Sequence, residues 1–240
     1  MTAFLKACLN GARMRDDHPG VPITPADLAR DAKAVVAAGA QALHVHPRDG
    51  SGKQTIGPHQ VAAAVTAIRE AVPGTPLGLT TIATIEPQPK RRVALVKKWT
   101  EKPDFVSVNW LEDGAPALAT ALVERGIGIE AGIWTVDAAR QFVDFGFAPH
   151  CLRVLVEPAE QASAAALATA EAIVALLAPL GLPLVVHGHE RTTWPVLRWA
   201  AAHGHGIRIG LEDTLALEGG HPAKDNAELV AAAKRLAAGR

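Results

Sequence analysis

The chain has 240 residues, 49% hydrophobic and 20% charged, which is enough to bury the core of one large domain or two small ones. Lysine plus arginine and aspartate plus glutamate number 24 each, so the formal charge is zero, no basic run follows a phosphate backbone, and nucleic acid is not an expected partner. Cys8 and Cys151 are the two cysteines, too few for a disulfide framework. No signal-like apolar run follows a basic start, and no membrane span of roughly 18 apolar residues is read, so the expected protein is soluble and cytoplasmic.

The first predicted strand is AFLKACLN, residues 3–10, with Asn10 and then Arg13 at its end. Thr24 followed by Pro25 reads as a helix N-cap and first helical residue. The second strand, ALHVH at 42–46, places His44 and His46 on one face and Val45 on the other, with Arg48 and Asp49 just beyond. PLGLTTI (76–82) carries Thr80 and Thr81, with Thr84 after it; DFVSVNW (104–110) carries Ser107 and Asn109; GIEAGIW (128–134) carries Glu130. CLRVLVE (151–157) ends at Glu157, PLVVHG (183–188) at His187 with His189 following, and GIRIGLE (206–212) holds Arg208 and Glu212 ahead of Asp213. Helical stretches follow each strand, starting at Thr24 and near residues 58, 89, 115, 135, 159, 191 and 225.

Eight βα units in this length predict an α/β fold, a single TIM barrel over residues 1–240 with its active site at the C-terminal ends of the strands. A doubly wound open sheet is the alternative, but no strand-linked GxGxxG supports a dinucleotide version of it. The Ala-rich run from Ala159 to Ala178 is read as a barrel helix packed on one face.

Two histidines on one face of a strand end make a pair of zinc ligands that a carboxylate from another strand completes, and Glu212 is the expected third ligand. Core hydrogen bonding is the plainer reading of an isolated HxH. His187 and His189 form a competing pair; the strand is expected to end at Gly188, with His187 lining the pocket and His189 in the loop, behind the ligands or in solvent. His18, His59, His203 and His205 read as surface histidines. Glu212 and Asp213 are adjacent and diverge in extended backbone, so Asp213 is free to act as a general base with Arg208 nearby; an ion pair closing the barrel is the structural alternative for Arg208.

The segments NGARMRDDHPGVPITPADLARDA, HVHPRDGSGK, VSVNW, GIEAG and RIGLEDTL resemble, in order and spacing, the beta-keto acid cleavage enzymes, the group that includes 3-keto-5-aminohexanoate cleavage enzyme. The resemblance implies a zinc-dependent barrel that reacts a beta-keto acid with acetyl-CoA, giving acetoacetate and a new acyl-CoA by a retro-Claisen route, with no cofactor beyond the metal. It implies metal ligands His44, His46 and Glu212, a base at Asp213 with Arg208 as its partner, and substrate contacts from Thr80 or Thr81, Ser107, Asn109 and Glu130. Arg48 and Asp49 become a supporting ion pair, and a homo-oligomer, a tetramer by resemblance, is implied. One position departs: members that accept an aminated keto acid carry glutamate where this chain has Arg13, and a guanidinium cannot pair with a substrate ammonium. A neutral or distally anionic keto acid is therefore expected. The chain is also shorter than members of that family, which implies trimmed loops over the mouth. A metal-dependent barrel hydrolase that does not use CoA is the competing activity, and a barrel that binds metal or metabolite without turnover is a third reading.

Overall fold

The computed structural model describes residues 3–239. Over them, parallel strands β1 (Leu5–Cys8), β2 (Ala42–Val45), β3 (Leu77–Leu79), β4 (Phe105–Asn109), β5 (Gly128–Ile133), β6 (Cys151–Val156), β7 (Leu184–Val186) and β8 (Gly206–Ile209) pair in chain order. Register pairs Leu5 with Ile207 and Cys8 with His44 close the ring at β1. Helices α1 (Pro25–Ala38), α2 (Pro58–Ala71), α3 (Pro89–Val96), α4 (Ala115–Val123), α5 (Val136–Phe145), α6 (Ser163–Leu177), α7 (Thr193–Ala202) and α8 (Asn226–Ala237) follow the strands in turn. This is the TIM barrel that the alternation predicts.

Alternation along each strand divides the residues between two cores. Leu43, Val45, Leu77, Leu79, Val106 and Val108 are buried beneath the helices, while Lys6, Phe105, Glu130 and Arg153 meet inside the barrel. There Lys6 Nζ lies 2.6 Å from Glu130 Oε2 with both side chains fully buried, Arg153 Nε is 3.3 Å from Glu130 Oε1, and both cations lie over the Phe105 ring. The start of α1 is specified locally by a capping box: Thr24 Oγ1 accepts from the Asp27 amide at 3.1 Å, and Asp27 Oδ2 accepts from the Thr24 amide at 3.0 Å.

The strands are shorter than the sequence suggests: Asn10, His46, Glu157, His187 and Glu212 all lie just past their strand ends, although the amides of Glu157 and His187 still donate to the Ile133 and Val156 carbonyls of the neighbouring strands. Helix α6 begins at Ser163 rather than near residue 159, and buries Ala166, Ala170, Ile173 and Leu177 on one stripe. By length and composition alone Ser163–Leu180 is apolar enough to cross a bilayer, which corrects the reading that no segment of the chain reaches that length; here it belongs to the outer ring of the barrel. His18 is anchored rather than free on the surface, its Nε2 2.8 Å from the Ala223 carbonyl and its Nδ1 accepting from the Gly20 amide.

Gly210 follows β8, where the chain turns toward Glu212 and Asp213. A methyl group there would overlap the backbone carbonyl of Cys8 on β1, and backbone cannot swing aside as a side chain can. Gly210→Ala is therefore expected to destabilise by at least about 1–3 kcal/mol, the usual range for overpacking, and to weaken metal binding with it. Urea unfolding of the variant beside the wild type measures the first effect; an unchanged midpoint would mean that the β1–β8 contact is looser than this packing.

Candidate active site

Asn10 fixes the end of β2. Its Oδ1 accepts from the His46 amide at 2.9 Å, and its Nδ2 donates to the carbonyls of His46 and Pro22 at 2.9 and 3.1 Å. The ring nitrogens of His44 and His46 then face one another, Nε2 to Nε2 at 3.2 Å, with Glu212 Oε2 3.5 Å from His46 Nε2. Gln54 Oε1, an acceptor, lies against His46 Nδ1, a contact that a proton on Nδ1 satisfies and that leaves Nε2 turned toward Glu212. His44 is neutral, because burial pushes its pKa well down despite the attraction of Glu212. Burial pushes Glu212 up, but Arg208, His46 and His44 outweigh it and hold the carboxyl well below the usual range. Glu212 Oε2 has no hydrogen-bond partner. Two imidazoles and an ionised carboxylate, their donor atoms within 4.8 Å of one another, fit a divalent ion with an open coordination position.

Gly11, in the loop after β1, has φ +50°, and a methyl group on it would overlap the Glu212 side chain. Only glycine combines that backbone with so close an approach, which is the physical content of the "NGA" segment. Arg208 Nε and Nη2 donate to Asp213 Oδ1 at 3.0 and 2.7 Å, and Nη2 also reaches Glu212 Oε1 at 2.6 Å. The ion pair and the candidate base are thus one arrangement. Burial alone would push the Arg208 pKa down, but Asp213 and its neighbours raise it well above the usual value. Asp213 Oδ2 is buried without a hydrogen-bond partner.

His44, His46 and Glu212 share a cavity of about 40 Å³ with Thr80, Ser107, Asn109 and Arg208. Ile82, Trp134, Leu155 and Glu157 complete its wall. Asp213 lies behind Arg208, fully buried and not on that wall. Thr81 and Glu130 are not on it either: Thr81 Oγ1 donates to the Ser107 carbonyl at 2.8 Å, and Glu130 sits deeper in the barrel against Lys6. Arg13 stands at the rim, joined to Glu190 of the β7–α7 loop. Arg48 and Asp49 do not pair: the Arg48 guanidinium donates to the carbonyls of Gly11, Arg13 and Gly52, whereas Asp49 accepts from Ser51 and Lys53. The peptide carbonyls of the neighbouring loop outcompete a carboxylate that turns back on its own loop.

His189 lies in the loop beyond Gly188, where it braces Glu157 of the cavity wall, and His187 stands behind that wall rather than on it. His189 Nε2 lies 2.6 Å from Glu157 Oε1, and His187 Nε2 lies 3.1 Å from Glu157 Oε2. Gln54 and Trp134 escaped the sequence reading; Gln54 sits in an irregular loop that carries no periodic signal, whereas Trp134 closes a predicted strand and its position pointed to the mouth.

A family model described as beta-keto acid cleavage enzyme matches residues 3–240. The 3-keto-5-aminohexanoate cleavage enzyme of Fusobacterium nucleatum subsp. nucleatum is 28% identical over 252 residues, taking in 98% of this chain and 90% of that enzyme. The enzyme with the same description from Acetoanaerobium sticklandii is 26% identical over 251 residues, with 98% and 91% covered. Among solved structures, 3-dehydroquinate dehydratase from Geobacillus kaustophilus superposes with a TM-score of 0.63 at 12% identity over 92% of this chain and 86% of that one, a likeness of barrel alone. With the family model spanning the barrel from β1 to α8, the chain belongs to the beta-keto acid cleavage enzyme family.

Proposed function

We propose that this protein converts a beta-keto acid and acetyl-CoA into acetoacetate and a new acyl-CoA, using a divalent metal, zinc by donor type, held by His44, His46 and Glu212. The observation that carries the reading is the convergence of those three donors beside the Arg208–Asp213 pair at one barrel mouth. The metal, when bound, supplies Lewis-acid polarisation of a keto oxygen, worth several kcal/mol of charge stabilisation. Asp213 removes a proton from the carbon between the keto and carboxylate groups, reaching it once substrate entry has opened the mouth, and Arg208 orients its carboxylate until then. That carbon attacks the thioester carbonyl and releases CoA thiolate; the thiolate then attacks the original keto carbon, the carbon–carbon bond breaks to give the acyl-CoA, and the proton taken by Asp213 returns to the carbon left behind, completing acetoacetate. Thr80, Ser107 and Asn109 offer polar contacts to the substrate, with Ile82, Trp134 and Leu155 as its apolar wall.

The cavity's about 40 Å³ holds an ion and little more, well below the roughly 300–1,000 Å³ of small-molecule pockets. Substrate entry therefore moves the rim, where the Arg13–Glu190 pair ties two loops together. Arg13 favours a neutral or distally anionic keto acid over an aminated one. A cytoplasmic homo-oligomer is part of the same reading, supported by the two free, buried thiols and by the family.

The deciding experiment measures acetoacetate from a panel of beta-keto acids with and without acetyl-CoA, using zinc-loaded protein. Product that requires acetyl-CoA is expected. Turnover indifferent to acetyl-CoA would replace this reading with a metal-dependent hydrolase, and faster turnover of an aminated substrate than of its neutral analogue would remove the role given to Arg13.

A further inference from the structure

The mouth holds a second donor set built like the first. Glu157 follows β6, and His187 and His189 follow β7, so an HxH at one strand end again meets a carboxylate from another strand, here the adjacent one, with donor atoms within 4.8 Å of each other. The Glu157 carboxylate spans both rings, one oxygen to each Nε2, at 2.6 Å to His189 and 3.1 Å to His187. A proton on His189 satisfies the shorter contact. His187 is less well served: it is fully buried, and its 3.1 Å approach to Glu157 is too poorly aligned for a hydrogen bond, so neither of its ring nitrogens has a hydrogen-bond partner. A buried donor or acceptor left without a partner is destabilising, so a side chain kept in that state calls for a partner of another kind.

The loop is bent to create this arrangement. A methyl group on Gly188 would overlap the Thr192 backbone, and Glu190 takes φ 51°, the one non-glycine residue with positive φ among those described. The His189 amide donates to Thr192 Oγ1 at 3.1 Å, and the Thr192 hydroxyl donates back to the His189 carbonyl at 2.9 Å. This local strain turns the His189 ring back over Glu157 instead of releasing it to solvent. On the side away from Glu157, Asp213 Oδ1 lies 3.9 Å from His187 Nδ1 and 3.8 Å from His189 Nδ1, beyond hydrogen-bond length but near enough to add negative potential around the two rings.

We propose that Glu157, His187 and His189 form a second divalent-cation site, separate from the one at His44, His46 and Glu212. Two imidazoles and one carboxylate select an ion such as zinc over calcium or magnesium. Arg208 and Asp213 stand between the two sets: the guanidinium bonds Glu212 and Asp213, and Asp213 faces the second pair of rings.

The test is zinc content by elemental analysis after loading and exhaustive dialysis against metal-free buffer, with circular dichroism to confirm folding and no reliance on turnover. The wild type is expected to hold about two ions per chain, His46→Ala about one, His189→Ala about one, and the double variant close to none. Glu157→Gln serves in place of His189→Ala if the latter does not fold. One ion that survives His46→Ala but is lost with His189→Ala would uphold this site and overturn the first one. A single ion lost with His46→Ala and retained in His189→Ala and Glu157→Gln would overturn the proposal, as would a second ion indifferent to both.

Discussion

His46→Ala is expected to abolish acetoacetate formation, lowering the rate by at least about 10³-fold, because several kcal/mol of Lewis-acid stabilisation is lost and each 1.4 kcal/mol is worth tenfold. The loss follows from how little redundancy the centre has. Three donors make the set, so removing one leaves an imidazole and a carboxylate, too few for a stable zinc site. Gln54→Leu provides the graded companion. It leaves all three donors in place but frees His46 Nδ1, so the ring no longer has a fixed tautomer, and a 10–100-fold weaker metal affinity is expected. Metal titration together with the acetoacetate assay reads both variants: excess zinc should restore Gln54→Leu and leave His46→Ala inactive. If His46→Ala kept its metal content and its rate, the HxH of β2 would be an ordinary pair of core histidines.

The barrel was legible because its period is simple. Eight apolar runs, each followed by an amphipathic stretch, left one common closed architecture, and every helix except α6 starts within about two residues of its expected position. α2, α3 and α4 open on a proline in their first two positions, whereas α6 has neither a proline nor a capping side chain at its start, so nothing local marks where it begins. His44, His46 and Glu212 were legible through alternation at strand ends. Contacts carried by loops were not: Gln54, the Arg48 carbonyl cradle and the return of His189 over Glu157 depend on non-local geometry that adjacent residues do not encode. Glu130 shows the limit of a position in a motif. Strand alternation aims it inward correctly, but depth along the barrel axis decides whether an inward side chain meets the cavity or the layer beneath it, and depth depends on register with the other strands.

That layer makes the second large effect testable. Lys6→Met is expected to destabilise the protein by about 3–5 kcal/mol, the usual result of removing one partner from a buried ion pair. Lys6 and Glu130 are both fully buried and 2.6 Å apart. Without the ammonium, the carboxylate keeps only Arg153 at 3.3 Å and cannot recover its hydration. For a chain of this length the loss corresponds to a fall of roughly 6–20 °C in the melting temperature, read by thermal unfolding followed by circular dichroism. The double variant Lys6→Met/Glu130→Leu removes both charges and is expected to recover most of that loss, since apolar replacement of a whole buried pair is often neutral or stabilising. The same variant decides what Glu130 does. Held beneath the cavity, it is an element of the barrel, and the double variant should still make acetoacetate. If Glu130 instead reaches the substrate when the mouth opens, the double variant will be stable and inactive, a combination that loss of a structural ion pair does not produce.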